Sequence, residues 1–164
     1  MEIKVATVQD LLIIQKLAKK IWPVCYAEII STEQINYMLN LIYSLEALKL
    51  QYEKGHQFVI ALKDDEPIGF ASYSEKSTEK FTVNRLHKLY VLTTLHTKGI
   101  GSLMLNYICR ESKKAGANSL ELNVNKINPA KTFYDKKGFS ILRDEVIDIG
   151  NGYVMDDYVM VKPL

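Results

Sequence analysis

The apolar positions of this chain fall first at helical spacing, then in extended runs, and those changes mark out its elements. The opening stretch IKVATV is rich in β-branched residues and predicts a short strand. After Thr7, the residues Leu11, Ile14, Leu17, Ala18 and Ile21 recur at helical spacing through VQDLLIIQKLAKKIW, and Pro23 ends that helix or bends it. Ser31 or Thr32 caps a second helix over STEQINYMLNLIYS, with Glu33 or Gln34 near its third position. LEALKLQYEKG is a third helical run, stopped at Gly55.

The character then changes. HQFVIAL and IGFASYSEK are strands around the turn KDDEP, so residues 57–75 form a hairpin. KFTVNRLHKLYVL is a third extended run, with Leu89 and Val91 on one face and Leu86, Lys88 and Tyr90 on the other. The loop in LHTKGIGSLML follows, and a helix runs through GSLMLNYICRESKKAG to Gly116. NSLELNVN is a strand, and NPAKTFYDKKG is a short helix with Pro near its start and Gly at its end. FSILRDEVIDIG and GYVMDDYVMVK are two final strands. There is no internal repeat, low-complexity segment or linker composition. The order predicts one α/β (α+β) domain over residues 1–164, layered on a mixed central sheet.

Composition narrows the functions without choosing one. The 164 residues are enough to bury roughly two-thirds of the unfolded surface in a single domain. Basic residues number 21 against 19 acidic, so a net charge of +2 gives no reason to expect nucleic acid as the main partner. No apolar run approaches the ~20 residues of a membrane helix, so no membrane partner is expected. Glu2 and Asp10 interrupt the first apolar residues, which is unlike a signal peptide. Cys25 and Cys109 lie far apart with no CxxC spacing and predict reduced core thiols in a cytoplasmic protein. His56, His87 and His96 have no metal-ligand spacing, so no metal is expected.

The loop carries the first hint of chemistry. Its place after a strand and before a helix puts backbone N–H groups at the positive end of that helix, where phosphates bind. Gly99 and Gly101 let a ligand approach the backbone closely, and Lys98 adds a cation. Strand–Gly–helix turns are also common without any ligand, so this spacing alone leaves both readings open. The dinucleotide fingerprint is excluded because Met104 stands where its third glycine belongs. The ATP-binding loop is excluded because Ser102-Leu103, rather than Lys-Ser/Thr, follows the second glycine.

Two motifs together point further. KLYVLTTLHTKGIGSLMLNYI, followed about a dozen residues later by LELNVNKINPAKTFYDKKGF, resembles the core of the GNAT superfamily of N-acetyltransferases. The first half matches Gln/Arg-x-x-Gly-x-Gly/Ala as His96-Thr97-Lys98-Gly99-Ile100-Gly101. The second matches Asn-x5-Tyr-x3-Gly-Phe as Asn128, Tyr134, Gly138 and Phe139. The resemblance implies a mixed, mostly antiparallel sheet of about six or seven strands, flanked by helices and splayed where acetyl-coenzyme A lies. It further implies that the backbone of Leu89, Tyr90 and Val91 bonds the pantetheine arm as an added strand. The N–H groups of His96, Thr97, Lys98, Gly99, Ile100, Gly101 and Ser102 would hold the pyrophosphate. Val91 N–H would stabilise the oxyanion, and Tyr134 would protonate the departing thiolate, a role suited to a phenol of ordinary pKa ≈ 10. Tyr134 as half-buried packing is the alternative. Asn128 either bonds the pantetheine arm or caps the helix beginning at Pro129. Lys137 either reaches a phosphate or is a solvated charge in a last helical turn.

Two positions depart from the family pattern. His96 replaces the usual Gln or Arg, and Arg85 stands where the histone-modifying members carry their glutamate base. The base is then a water chain or a neighbour such as His87. The acceptor side implied by the resemblance comprises Trp22, Tyr26, Glu28, Tyr153, Asp156 and Asp157, where carboxylates beside aromatics suit a cationic amine. IW with Tyr26 and STEQINYML also resembles bacterial spermidine/spermine-type and related small-amine acetyltransferases. The expected reaction is acetyl transfer from acetyl-coenzyme A to a primary amine of a small molecule or peptide. The rival reading is a non-catalytic coenzyme-A-binding sensor or subunit. C-terminal edge strands would allow a homodimer.

Overall fold

A computed structural model describes residues 1–93 and 99–164. Among the described residues, seven strands form one sheet in the order β1-β2-β3-β4-β5-β7-β6, mostly antiparallel, and five α-helices accompany it. The chain divides into two compact units, Met1–Ser74 with Lys88–Ile108, and Glu75–His87 with Cys109–Leu164. The fourth strand and the fourth helix each contribute residues to both.

In the first unit, β1 (Glu2–Val5), β2 (Gln57–Lys63) and β3 (Glu66–Glu75) are antiparallel neighbours. Asp64 and Asp65 turn the β2–β3 hairpin at φ +51° and +64°, a left-handed pair that short polar side chains tolerate. Helix α1 (Leu11–Cys25) follows a 3-10 turn at Val8–Asp10. Its residues Leu11, Ile14, Ala18 and Ile21 form the buried stripe that the spacing predicts. Ser31 is the cap of α2 (Thr32–Tyr43), accepting from Gln34 N–H, and Ser44 caps α3 (Leu45–Glu53) in the same way. Phe58, Ile60 and Phe70 are fully buried on the sheet, each stabilising the fold by roughly 1.5–3 kcal/mol.

Pro23 does not end α1. The helix continues to Cys25, and Tyr26 N–H closes on the Trp22 carbonyl at 3.0 Å. Proline removes only its own N–H from the ladder, and here it sits exposed in the final turn. Burial of Trp22 and Tyr26 on either side of it offsets that lost bond.

The second unit holds the start of β4 (Val83–Val91), then β5 (Ser119–Asn125), β6 (Ser140–Gly150) and β7 (Tyr153–Pro163). Val83–Leu86 pair in parallel with Ser119–Leu122, and β7 lies antiparallel between β5 and β6. Asn151 and Gly152 turn the last hairpin at φ +55° and +77°, which suits a two-residue primed turn. Leu120, Leu122, Val124, Val159 and Met160 supply its buried apolar positions. Helix α4 (Ile100–Lys114) and the short α5 (Ala130–Lys136) complete the elements.

Candidate active site

The glycine loop ends as the sequence predicts. Gly99 takes φ +104°, a conformation that side chains disfavour, and its carbonyl accepts the first α4 bond from Leu103 N–H at 2.8 Å. The N–H groups of Ile100, Gly101 and Ser102 therefore stand in the first turn, where a helix has no internal acceptors. Ile100, Met104, Leu105 and Ile108 are buried and seat that helix. His96, Thr97 and Lys98 lie outside the described residues.

Just before the loop, β4 carries Leu89, Tyr90 and Val91, all partly exposed. Its parallel register with β5 ends at Leu86–Leu122, while β4 itself continues to Val91. Leu92 N–H bonds the Ile68 carbonyl at 2.8 Å.

An aromatic cluster surrounds Tyr90. Trp22 stacks on Tyr26 with centroids 4.3 Å apart, and the Tyr26 and Tyr90 hydroxyls lie 2.9 Å apart. Trp22 Nε1 donates to the Tyr43 hydroxyl at 3.1 Å, and burial pushes the Tyr43 phenol well above its ordinary pKa. Phe70 completes the group, 5.5 Å from the Tyr90 ring. Of the acceptor-side residues expected in this unit, Trp22 and Tyr26 thus come together with Tyr90. Glu28 is exposed. Trp22 and Tyr26, 3% and 7% exposed, are both buried side chains of this unit.

Lys88 is a feature that sequence reasoning did not interpret. It is 6% exposed, donates to Gln51 Oε1 at 2.6 Å and lies over the Tyr43 and Phe58 rings. Its place on the face shared with Leu86 and Tyr90 was the available signal. Burial disfavours the ammonium and brings its pKa down to about 8. Between that value and the ordinary 10.5, the unfolded chain holds a proton that the folded chain has released. Stability contributed by this group therefore rises with pH across that window and is lost as pH falls to about 8. Urea unfolding at pH 7.5, 8.5, 9.5 and 10.5 should show the rise, on the order of 3 kcal/mol. Lys88→Met should remove that increment; an identical pH slope in the variant refutes the assignment.

In the second unit, Asn128 Oδ1 accepts from Ala130 N–H at 2.9 Å, so the side chain serves the turn into α5. Pro129 stands at the cap, and Gly138 ends the segment at φ +86°. Tyr134 is 8% exposed, with Phe133 and Phe139 edge-on at 5.2 and 5.6 Å. Lys137 is half-buried, its ammonium 5.8 Å from the Phe133 centroid, and its carbonyl accepts from Lys162 Nζ at 2.7 Å. The run from Asn128 to Phe139 is thus a short helix whose glycine stop lets Phe139 fold back beside Tyr134.

The last hairpin brings Tyr153 and the two aspartates into this unit. Tyr153 is half-buried. Asp156 is exposed and pairs with Lys126 at 2.8 Å, as Asp144 does at 2.9 Å. Asp157 is 6% exposed, and burial raises its pKa. The Asn123 amide reaches Glu145 Oε2 at 2.6 Å and Asp157 Oδ2 at 3.4 Å, and holds the Glu145 carboxyl below its usual range. Arg85 donates to Asn123 Oδ1 at 2.6 Å, so at the position of the histone-type base the chain has a cation tied to this network.

A left-handed glycine before a helix start and an Asn–Tyr–Gly–Phe helix are the two local units that carry the sequence motifs. The chain belongs to the GNAT family of acetyltransferases: the sequence profile described as the acetyltransferase (GNAT) domain matches residues 26–158. A solved structure of the PaiA N-acetyltransferase from Thermoplasma acidophilum, in complex with coenzyme A, is 26% identical over 100% of both chains, with TM-score 0.79. The ribosomal-protein-alanine N-acetyltransferase of Brucella melitensis is 19% identical over 100% of both chains, with TM-score 0.69. An aminoglycoside 6′-acetyltransferase of type Ii is 20% identical over 99% of this chain and 97% of its own, with TM-score 0.68. Those last two share the fold. No curated protein sequence matches the chain.

Proposed function

We propose that this acetyltransferase moves the acetyl group of acetyl-coenzyme A to a primary amine of a small, polyamine-like molecule or a peptide. The observation that carries the reading is the pairing of a strand end at Leu89–Val91 with the first-turn N–H groups of Ile100, Gly101 and Ser102, which have no acceptor within their own helix. An extended pantetheine arm takes the strand end as a further strand would, and a pyrophosphate takes the helix start. His96, Thr97, Lys98 and Gly99 are assigned to the same phosphate site, with Asn128 and Lys137 as further contacts to the coenzyme.

In the reaction, a neutral amine attacks the thioester carbonyl and a tetrahedral intermediate forms. Val91 N–H donates to its oxyanion. The C–S bond then breaks, and Tyr134 gives its proton to the thiolate. The amine's proton leaves through water or His87. Tyr26, Glu28, Tyr153 and Asp156 are assigned to the acceptor side, with Trp22 stacked on Tyr26. Asp157 and Glu145 add negative charge to the hairpin side, which supports a cationic acceptor.

The same proposal places one catalytic domain over residues 1–164, in the cytoplasm. The family match runs through both compact units, and among the described residues no helix is long and apolar enough to cross a membrane. Strand β6, at the sheet edge with Ile141, Leu142 and Val146 exposed, supports a homodimer.

The test is coenzyme A release from acetyl-coenzyme A with polyamines, aminoglycosides, amino acids and short peptides as acceptors. Amine-dependent release is the expected result, and the best acceptor names the class. Absence of acetyl-coenzyme A binding in a calorimeter overturns the reading.

A further inference from the structure

Strand β3 carries Gly69 beside the end of β4, at a backbone conformation that needs no glycine. What the position needs is space. A Cβ added there would stand 2.8 Å from the Tyr90 carbonyl oxygen, 3.3 Å from Met104 Cε and 3.4 Å from Val91 Cα. Side-chain carbons essentially never approach a backbone atom as closely as the first of these, and a carbonyl oxygen has no rotamer by which to withdraw.

In a regular ladder, carbonyl oxygens lie in the sheet and point at the neighbouring strand, whereas Cβ atoms stand out of it. The Tyr90 oxygen stands 2.8 Å from the place of a Gly69 Cβ, so its peptide takes up the room that a side chain at residue 69 would need. Two residues on, Leu92 N–H returns to bond the Ile68 carbonyl. The peptide joining Tyr90 to Val91 is trans, so its N–H points opposite to its C=O. The space left by the missing side chain thus holds one end of a rigid unit whose other end is the Val91 N–H.

We propose that Gly69 is a positioning residue: its bare Cα accommodates the Tyr90 carbonyl and so aims the Val91 N–H away from β3, at the oxyanion. The inference rests on Val91 being the oxyanion donor in the reaction proposed above. Adding a methyl group at residue 69 must rotate or displace that peptide. Met104 Cε is flexible and yields at little cost, whereas the carbonyl can move only together with its whole peptide.

The experiment compares wild type, Gly69→Ala, Met104→Leu and the double variant in steady-state acetyl transfer, coenzyme A calorimetry and thermal unfolding. Wild-type turnover, measured first, tests the underlying reaction on its own. Gly69→Ala should lower kcat by about 10²-fold, the usual loss for one oxyanion donor, with coenzyme A affinity changed by less than about tenfold. Met104→Leu withdraws the methyl crowding from the helix side and should keep kcat within about threefold, as volume-conserving core changes do. The double variant should stay as slow as Gly69→Ala, and it carries the test if the single variant does not fold. Independently of any acceptor, the Val91 amide resonance of the coenzyme-A complex should move in Gly69→Ala. Wild-type kcat in Gly69→Ala, rescue by Met104→Leu, or an unmoved Val91 resonance overturns the proposal.

Discussion

Tyr134→Phe should lower kcat by about 10²–10⁴-fold, the range that a positioned general acid contributes. The substitution removes one hydroxyl and keeps the ring, so the edge-on contacts with Phe133 at 5.2 Å and Phe139 at 5.6 Å persist. Its cost in stability is then about 1 kcal/mol, the net worth of a typical hydrogen bond. The contrast between a large kinetic loss and a small thermodynamic one separates an acid from a packing residue. Coenzyme A affinity should be nearly unchanged, because protonating the leaving thiolate belongs to the transition state. Thiol release and urea unfolding on the same preparation check both halves. Turnover within threefold of wild type would make Tyr134 a packing residue and send the search for the acid elsewhere.

Trp22→Ala is expected to have the largest effect on stability, about 3–5 kcal/mol, which is a large share of the 5–15 kcal/mol that a domain possesses. The side chain stacks on Tyr26, meets Tyr43 edge-on at 5.5 Å and contacts Tyr90 at 5.8 Å. Its removal opens a void between α1 and α2 and strips the buried Tyr43 hydroxyl of a donor. Trp22→Phe isolates the second effect and should cost about 1 kcal/mol, the net worth of one hydrogen bond, because Tyr43 keeps its bond to Tyr90. Both values come from urea unfolding. A Trp22→Ala variant of wild-type stability with only a raised KM for the amine would put the indole in the acceptor pocket and not in the core.

Much of the fold was legible because it is written at short range. The stripe Leu11–Ile14–Ala18–Ile21, the cap at Ser31 and the glycine before α4 each depend on residues within a turn or two of one another. Asn128, Tyr134, Gly138 and Phe139 were recognised as a motif, and they do form one local unit, a helix with its glycine stop. Of the two readings of Pro23, an end or a bend, the end was set aside by the tertiary structure, where Trp22 and Tyr26 are buried against residues far along the chain. Lys88 could be placed on the face of Leu86 and Tyr90, but not read as buried, because its partner Gln51 lies on a helix before two intervening strands.

By itself the sequence determined the order of helices and strands, the glycine loop into α4 and the two motifs that mark an acetyltransferase. Periodicity and glycine conformation are properties of neighbouring residues, so they survive without knowledge of the rest of the chain. Tertiary structure alone decided that Tyr26 meets Tyr90, that Lys88 is sealed under Gln51 and that Gly69 clears the Tyr90 carbonyl. Those pairings are 64, 37 and 21 residues apart in sequence. A period tells which face a side chain presents; only the packed chain tells what that face meets.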